Sequence, residues 1–377
     1  MTELRTYFNE QQDAMVALLT KMIEHETFSI DKPNVDRFMD FMVGEFEKAG
    51  AQVTRHEREE VGDIVQATWQ ADAPGQPILL LGHADTVWPE GTLAERPVRI
   101  DEDGRLYGPG ALDMKGGLAI ALFAIKGLLD RGELPNRPIH YLLTTDEEIG
   151  SKHSQQIIED MARESGLVLV LEPPTADGSL KGWRKGTASY TLTVTGKAAH
   201  AGNEPEKGIN AIIEFAQQAL VINELNDLKM GTSVCVNVVH GGMATNVIPD
   251  HLTASIDVRV MSQQAKNKID AAFDDLHPFI PGAQVKVEGG HYRPPMERND
   301  AALKQVKNIA SGVGMSVHDD GAGGGSDGNF TAAIGIPTVD GLGPEGLGLH
   351  ALHEHVIINS MPRKATLIAA ILRDWED

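Results

Sequence analysis

The sequence predicts an α/β fold: a mixed, mostly parallel sheet flanked by helices, interrupted by a smaller α+β domain. Three observations lead there. The 377 residues exceed the roughly 250–300 at which a single core stops growing, so two domains are expected. Unbroken apolar runs (Pro77-Ile78-Leu79-Leu80-Leu81-Gly82 and Leu167-Val168-Leu169-Val170-Leu171) alternate with helical periodicity, the mark of strands covered on both faces. After Pro173-Pro174 the texture changes: Tyr190, Leu192 and Val194 alternate with Ser and Thr, as in a half-solvated antiparallel strand. The division expected is 1–180, 181–293 and 294–377, the middle segment being the insertion.

In chain order, apolar residues at helical spacing predict helices from Glu3 to about His25 and from Asn34 to Lys48, with Gly50 as a stop. A strand at 77–82 follows, then a helix from Met114 to Arg131, a strand from Ile139 to Thr144, a helix from His153 to Arg163 and the strand 167–171. The inserted segment reads strand (Ser189–Thr195), helix (Ile209–Leu220), strand (Ser233–Val239), strand (Leu252–Val260), helix (Lys266–Phe273), strand (Ala283–Glu288). That order is βαββαβ, ferredoxin-like. Beyond Pro294-Pro295 come a helix (Leu303–Ala310), the strand Pro337-Thr338-Val339 and a closing helix (Pro362–Trp375).

With 33 Lys+Arg against 54 Asp+Glu the formal charge is -21, which argues against nucleic acid or an anionic membrane as partner. Apolar residues at 41% and charged residues at 23% are near the globular norm, so the chain still buries a core. The single cysteine, Cys235, lies between Val234 and Val236 and reads as a buried, inert thiol. The N-terminus lacks a secretory pattern and no run of about 18 apolar residues occurs, so a cytoplasmic setting is expected; a processed secreted chain would read the same.

The residues that carry chemistry cluster where strands end. Gly82-His83-Ala84-Asp85-Thr86-Val87 closes the first buried strand, and His83 and Asp85, two apart, share a face if the strand continues. A metal-ligating imidazole with a carboxylate to orient it fits; so does a surface His beside a turn Asp. The glycine-rich Gly108-Pro109-Gly110 delivers Asp113 to a helix start, where Asp is also a good N-cap. Strand 139–144 runs into Asp146-Glu147-Glu148, and the next strand into Glu172. Open α/β sheets build their sites at these edges, and a His and carboxylate set without thiolate suits a catalytic zinc pair or another divalent ion.

These segments, in this order, resemble the dinuclear zinc amidohydrolases that include acetylornithine deacetylase, succinyl-diaminopimelate desuccinylase, aminoacylase and glutamate carboxypeptidase. The resemblance runs over nearly the whole chain and is greatest to the glutamate carboxypeptidase branch. It implies two Zn2+ per subunit, replaceable by Co2+ or Mn2+. His83 and Glu172 hold one ion, Glu148 and a C-terminal His the other, and Asp113 bridges them. Glu147 is the implied base, with Asp85 behind His83. The segment Gly348-Leu349-His350-Ala351-Leu352-His353-Glu354-His355 offers three histidines. The family's Gly-x-His-x-x-x-Glu pattern selects His350, leaving His353 and His355 as surface residues.

The inserted domain resembles the family's lid and dimerisation domain, with hinges near 173–185 and 289–295. The resemblance carries His200, from Gly196 to Gly202, into a partner subunit's site, and makes Asn246, Arg259 and Arg293 substrate contacts. Gly323-Gly324-Gly325-Ser326-Asp327-Gly328 lacks the Gly-Lys-Ser/Thr ending of a P-loop, and nucleotide binding is rejected. The expected function is therefore hydrolysis of the amide bond to a C-terminal amino acid with a free carboxylate, by a homodimer acting on small peptides or N-acyl amino acids. An N-acyl-amino-acid deacylase is the near alternative. A metal-free binding protein on the same fold is the remote one.

Overall fold

In the computed structural model, which describes residues 2–377 apart from the side chains of His291 and Tyr292, the apolar runs become the centre of a six-stranded sheet. Strands Gln52–His56 (β1), Ile64–Trp69 (β2), Ile78–His83 (β3), Ile139–Thr144 (β4) and Leu167–Val170 (β5) lie in the order β1-β2-β4-β3-β5, and Thr338–Val339 closes the far edge. β3 runs parallel to both β4 and β5, whereas β1 and β2 are antiparallel. Every residue of β3 is buried. Ile78 and Leu80 join the core formed with the helix over 116–131 and the C-terminal helix, while Leu79 and Leu81 pack with Ile158 and Met161 on the other side. A strand covered twice has no solvent face to mark with polar residues; each such leucine contributes roughly 2 kcal/mol of burial.

The helices of this part are Glu3–Glu10 (α1), Gln12–Ile23 (α2), Lys32–Lys48 (α3), Gly116–Arg131 (α4) and Gln155–Glu164 (α5). The single opening helix expected over 3–25 is instead broken at Gln11, with Phe8 and Met15 on its two sides both fully buried. α3 is capped by Asp31, whose carboxylate accepts from the Asn34 N–H at 3.2 Å, and Pro33 sits in its first turn, where no donor is lost.

The inserted unit has its own sheet of strands Gly186–Thr195 (β6), Ser233–Gly241 (β7), His251–Val260 (β8) and Gln284–Arg293 (β9), ordered β7-β8-β6-β9 and antiparallel throughout. Ala188, Tyr190, Leu192 and Val194 of β6 are buried, and helices Ala211–Asn223 (α6) and Gln263–Asp274 (α7) share their core. Cys235 corrects the sequence reading. It is exposed: on edge strand β7 its neighbour Val234 is buried in that core, and alternation turns the thiol to the opposite face. By contacts the chain divides into one unit of 1–183, 298–322 and 326–377, and another of 184–297 with 323–325.

The chain closes with helices Asp300–Gly312 (α8) and Met361–Asp374 (α9). α9 buries Lys364, whose Nζ reaches only the Gly341 carbonyl, at 3.0 Å, among the described residues. Burial first, and then the charges of Arg363 and Lys181, push its pKa from 10.5 to about 7. Between about 7 and 10.5 the unfolded chain binds the extra proton, so folding stability should rise with pH across that window and be flat for this group below it. Lys364→Met should remove that rise and increase stability at pH 7, since no charge is then buried there, less the cost of leaving the Gly341 carbonyl without its donor. Urea unfolding at pH 7 and pH 9 checks this; an unchanged pH slope in the variant would count against it.

Candidate active site

His83 ends β3, paired in register with Thr144 of β4, and its side chain is 2% exposed. Its Nδ1 lies 2.9 Å from the backbone oxygen of Asp85 and 3.4 Å from the Asp85 carboxylate. The main-chain carbonyl is thus the better partner for an Nδ1–H, which leaves the Nε2 lone pair facing Asp113 and Glu172. The Asp85 carboxylate does a second job as well. It accepts from the main-chain N–H of Glu147 and of Glu148, both at 3.2 Å, and from Ser29 Oγ at 2.7 Å. Asp85 therefore holds the one-turn helix Glu147–Ile149 against the end of β3.

Asp113 does not cap a helix. It sits with φ -115 and ψ 92 inside the irregular turn Ala111–Lys115, before α4 begins, and its carboxylate is turned to the histidines. Asp113 Oδ1 is 3.2 Å from His83 Nε2, and Oδ2 is 3.2 Å from His350 Nε2. Glu172 Oε1 approaches His83 Nε2 at 3.5 Å, and Glu148 Oε2 approaches His350 Nε2 at 3.2 Å. The second glycine of Asp113-Met114-Lys115-Gly116-Gly117 has a packing reason: a Cβ on Gly117 would stand 1.9 Å from the Leu171 carbonyl, next to Glu172. Only glycine lets α4 start so near the β5 end.

His350 occupies a turn between the short strands Gly346–Leu347 and His355–Ile357, in the left-handed region at φ 55 and with 51% of its side chain exposed. A non-glycine residue held there costs of order 1–3 kcal/mol and persists because its surroundings impose it. His353 is exposed, but His355 is not the surface residue the sequence implied: it is buried in its strand with its ring 5.0 Å from Tyr107.

Two supports were not foreseen. Glu354, fully buried, accepts from the N–H groups of Gly110, Leu112 and Asp113 at 2.9, 2.8 and 3.1 Å and from Trp88 Nε1 at 2.9 Å. It fixes the Asp113 loop. Asp327, read only as part of a glycine-rich loop, accepts from Thr144 Oγ1 at 3.1 Å and from Ser151 Oγ, bracing the turn that carries Glu147 and Glu148. A carboxylate that serves N–H or hydroxyl groups distant in sequence leaves no periodicity to detect, so neither role was visible in sequence.

Electrostatics follow from this crowding. Burial disfavours the imidazolium of His83, but Asp113, Asp85 and Glu172 outweigh it and hold its pKa well above 6.5. Asp113 and Glu148 push His350 up to about 10. Asp113 is depressed by His350 and His83 against the cost of its own burial, while burial raises Glu148. The donor atoms of His83, Asp113 and Glu148 lie within 4.8 Å of one another, and the buried Glu148 Oε1 has no hydrogen-bond partner among the described residues. An orphaned carboxylate oxygen amid converging His and carboxylate donors fits divalent cations.

The other predicted residues lie in the inserted unit. His200 bridges to Val247, the residue after Asn246, and the Ala201 N–H donates to the Asn246 carbonyl at 2.9 Å, so these two segments are brought together. Gly202 and Asn203 donate to His200 Nδ1, both at 3.1 Å, which puts the proton of the neutral ring on Nε2. Arg259 and Arg293 flank Thr187 of β6 as its register partners on either side, in one row of the sheet. The Arg259 fork is not wholly open: Nε and Nη2 bond Asp257 at 3.0 and 2.9 Å. Arg293 is buried.

A sequence profile of peptidase family M20/M25/M40 matches residues 79–374. Carboxypeptidase G2 of Pseudomonas sp. (strain RS-16) is 32% identical over 97% of this chain and 90% of its own. Succinyl-diaminopimelate desuccinylase of Ectopseudomonas mendocina (strain ymp) is 30% identical over 92% and 96%. Aminopeptidase PepT from Bacillus cereus ATCC 10987, 22% identical, shares the fold with a TM-score of 0.80 over 96% of this chain and 98% of its own. With a match over most of its length, two such relatives and this cluster of residues at the strand ends, the chain belongs to peptidase family M20/M25/M40 and is a metal-dependent hydrolase of the peptidase and amidohydrolase type.

Proposed function

We propose that the protein releases a C-terminal amino acid with a free carboxylate from small peptides or acyl conjugates, as a glutamate carboxypeptidase-like exopeptidase with two zinc ions. The observation that carries the metal assignment is Asp113, whose two oxygens face His83 and His350, each at 3.2 Å. His83 and Glu172 would hold one ion and His350 and Glu148 the other, with Asp113 available to both. When bound, such a pair lowers the pKa of a water and polarises the scissile carbonyl.

The chain's own groups do the rest. Glu147 takes the proton of the attacking water and hands it to the departing amine. His200, protonated on Nε2, donates to the developing oxyanion from a second subunit. Arg259 and Arg293, in one row, and Asn246 hold the free carboxylate. The homodimer is supported by edge strand β7, where Val238 and Val239 are exposed, and by Ile212, Ile213 and Leu220 exposed on α6. A lone exposed thiol, Cys235, fits a reducing compartment such as the cytoplasm.

The carboxypeptidase reading draws on the likeness to carboxypeptidase G2; the desuccinylase relatives favour the deacylase reading second. A screen of acyl-glutamates and dipeptides against N-acetyl-amino acids, with zinc, cobalt or manganese and again after chelation, separates them. The expected result is metal-dependent release of the C-terminal residue. Faster cleavage of N-acetyl-amino acids would instead make it a deacylase, and a strictly monomeric, fully active enzyme would remove His200 from the mechanism.

A further inference from the structure

Near the turn that carries His350 lies a cavity of about 300 Å3 lined by Glu95, Arg96, Arg99, Tyr107, Gly108 and Leu352. The hydrolytic reading makes no use of it. Each arginine is stacked on an aromatic ring: Arg96 Cζ lies 4.4 Å from the Trp88 ring centre and Arg99 Cζ 3.7 Å from that of Tyr107. A ring face holds a guanidinium flat and leaves its in-plane N–H edge to a planar acceptor.

The walls are braced. Trp88 Nε1 donates to Glu354 Oε2 at 2.9 Å, Tyr107 Oη donates to Asp101 Oδ2 at 3.0 Å, and the Tyr107 ring packs on His355. The carboxylate that secures the Asp113 loop thus also secures the platform under Arg96. Leu352 on the rim is two residues from His350. Two platform-mounted cations outnumber the one lining carboxylate, Glu95, on a chain whose net charge is -21.

We propose that this cavity is an anion subsite that takes a carboxylate between Arg96 and Arg99. The carboxylate has two possible sources, the distal end of an acidic acyl or peptidyl substrate or a separate small dicarboxylate. Planarity favours a carboxylate, which a stacked guanidinium engages through two parallel hydrogen bonds. The subsite does not depend on which amino acid the enzyme releases.

The test has two arms. Metal-loaded protein is titrated calorimetrically with glutarate, and kcat/KM is measured for an N-succinyl-amino acid and for its N-butanoyl counterpart, in which a methyl replaces the distal carboxylate. Both are repeated in Arg96→Gln and Arg99→Gln, so that one variant remains if the other fails to fold. Glutarate affinity is expected to fall at least about tenfold in either variant, the order of one lost charge-assisted hydrogen bond. A parallel tenfold fall in the succinyl-to-butanoyl ratio assigns the carboxylate to the substrate; an unmoved ratio with lost glutarate binding assigns it to a separate anion. Glutarate binding and acyl preference both unmoved in the variants would overturn the subsite. Protein that cleaves neither series fails the hydrolytic reading, and the glutarate arm still decides the subsite.

Discussion

Glu147→Ala is expected to lower turnover by about 10²–10⁴-fold, the usual contribution of a positioned general base, while metal content stays at the native level. The expectation rests on a division of labour between adjacent glutamates. Glu148 Oε2 lies 3.2 Å from His350 Nε2, inside the ligand cluster. Glu147 joins the same one-turn helix through its main chain, donating its N–H to Asp85 Oδ1 at 3.2 Å. Alanine keeps that N–H, so the turn that positions Glu148 survives the substitution. Only the proposed proton carrier is lost. Single-turnover kinetics beside elemental analysis read the two effects separately: near-native turnover would move the base elsewhere, and metal loss would make Glu147 a ligand.

Asp113→Asn is expected to be more severe, since it removes a charge shared by two sites and leaves the shape of the side chain nearly unchanged. Asp113 presents one oxygen to each histidine. The amide of asparagine offers at best one neutral acceptor where two anionic oxygens stood, so one proposed ion would lose its ligand and the other would keep only an uncharged one. Losing an outer-shell partner alone commonly costs 10–100-fold in metal affinity, and a shared ligand should cost at least about 100-fold. Dialysed Asn variant should hold well under one divalent ion per chain and show no measurable hydrolysis. His350→Ala, which touches one site, should retain about half the native metal. An Asp113→Asn protein that keeps two ions per chain would remove Asp113 from the bridge.

Much of the candidate site was legible because its chemistry is local in sequence. His83, Asp113, Glu147, Glu148 and Glu172 each follow a strand end or sit in a glycine-rich turn, and the order of these segments is itself specific. Element types were legible for the same reason: β3 and β5 read as unbroken apolar runs, β6 as an alternation. What escaped was side-chain direction. Asp85 was expected to stand behind His83, and its carboxylate also anchors the Glu147–Glu148 turn; Asp113 by itself read first as a helix cap; Cys235 read as buried and is exposed. The break at Gln11 escaped too, because both halves keep helical spacing.

Residue identity and spacing alone therefore carried the family, the layered architecture and the list of titratable groups, since burial on two faces, alternation and turn chemistry each imprint a period on the chain. The folded chain decided which oxygen meets which imidazole, that Glu354 and Asp327 hold the site's loops, and that Arg96 and Arg99 share a cavity. Those contacts join residues as far apart as Trp88 and Glu354, and a pairing across such a separation is set by packing, which no local pattern records.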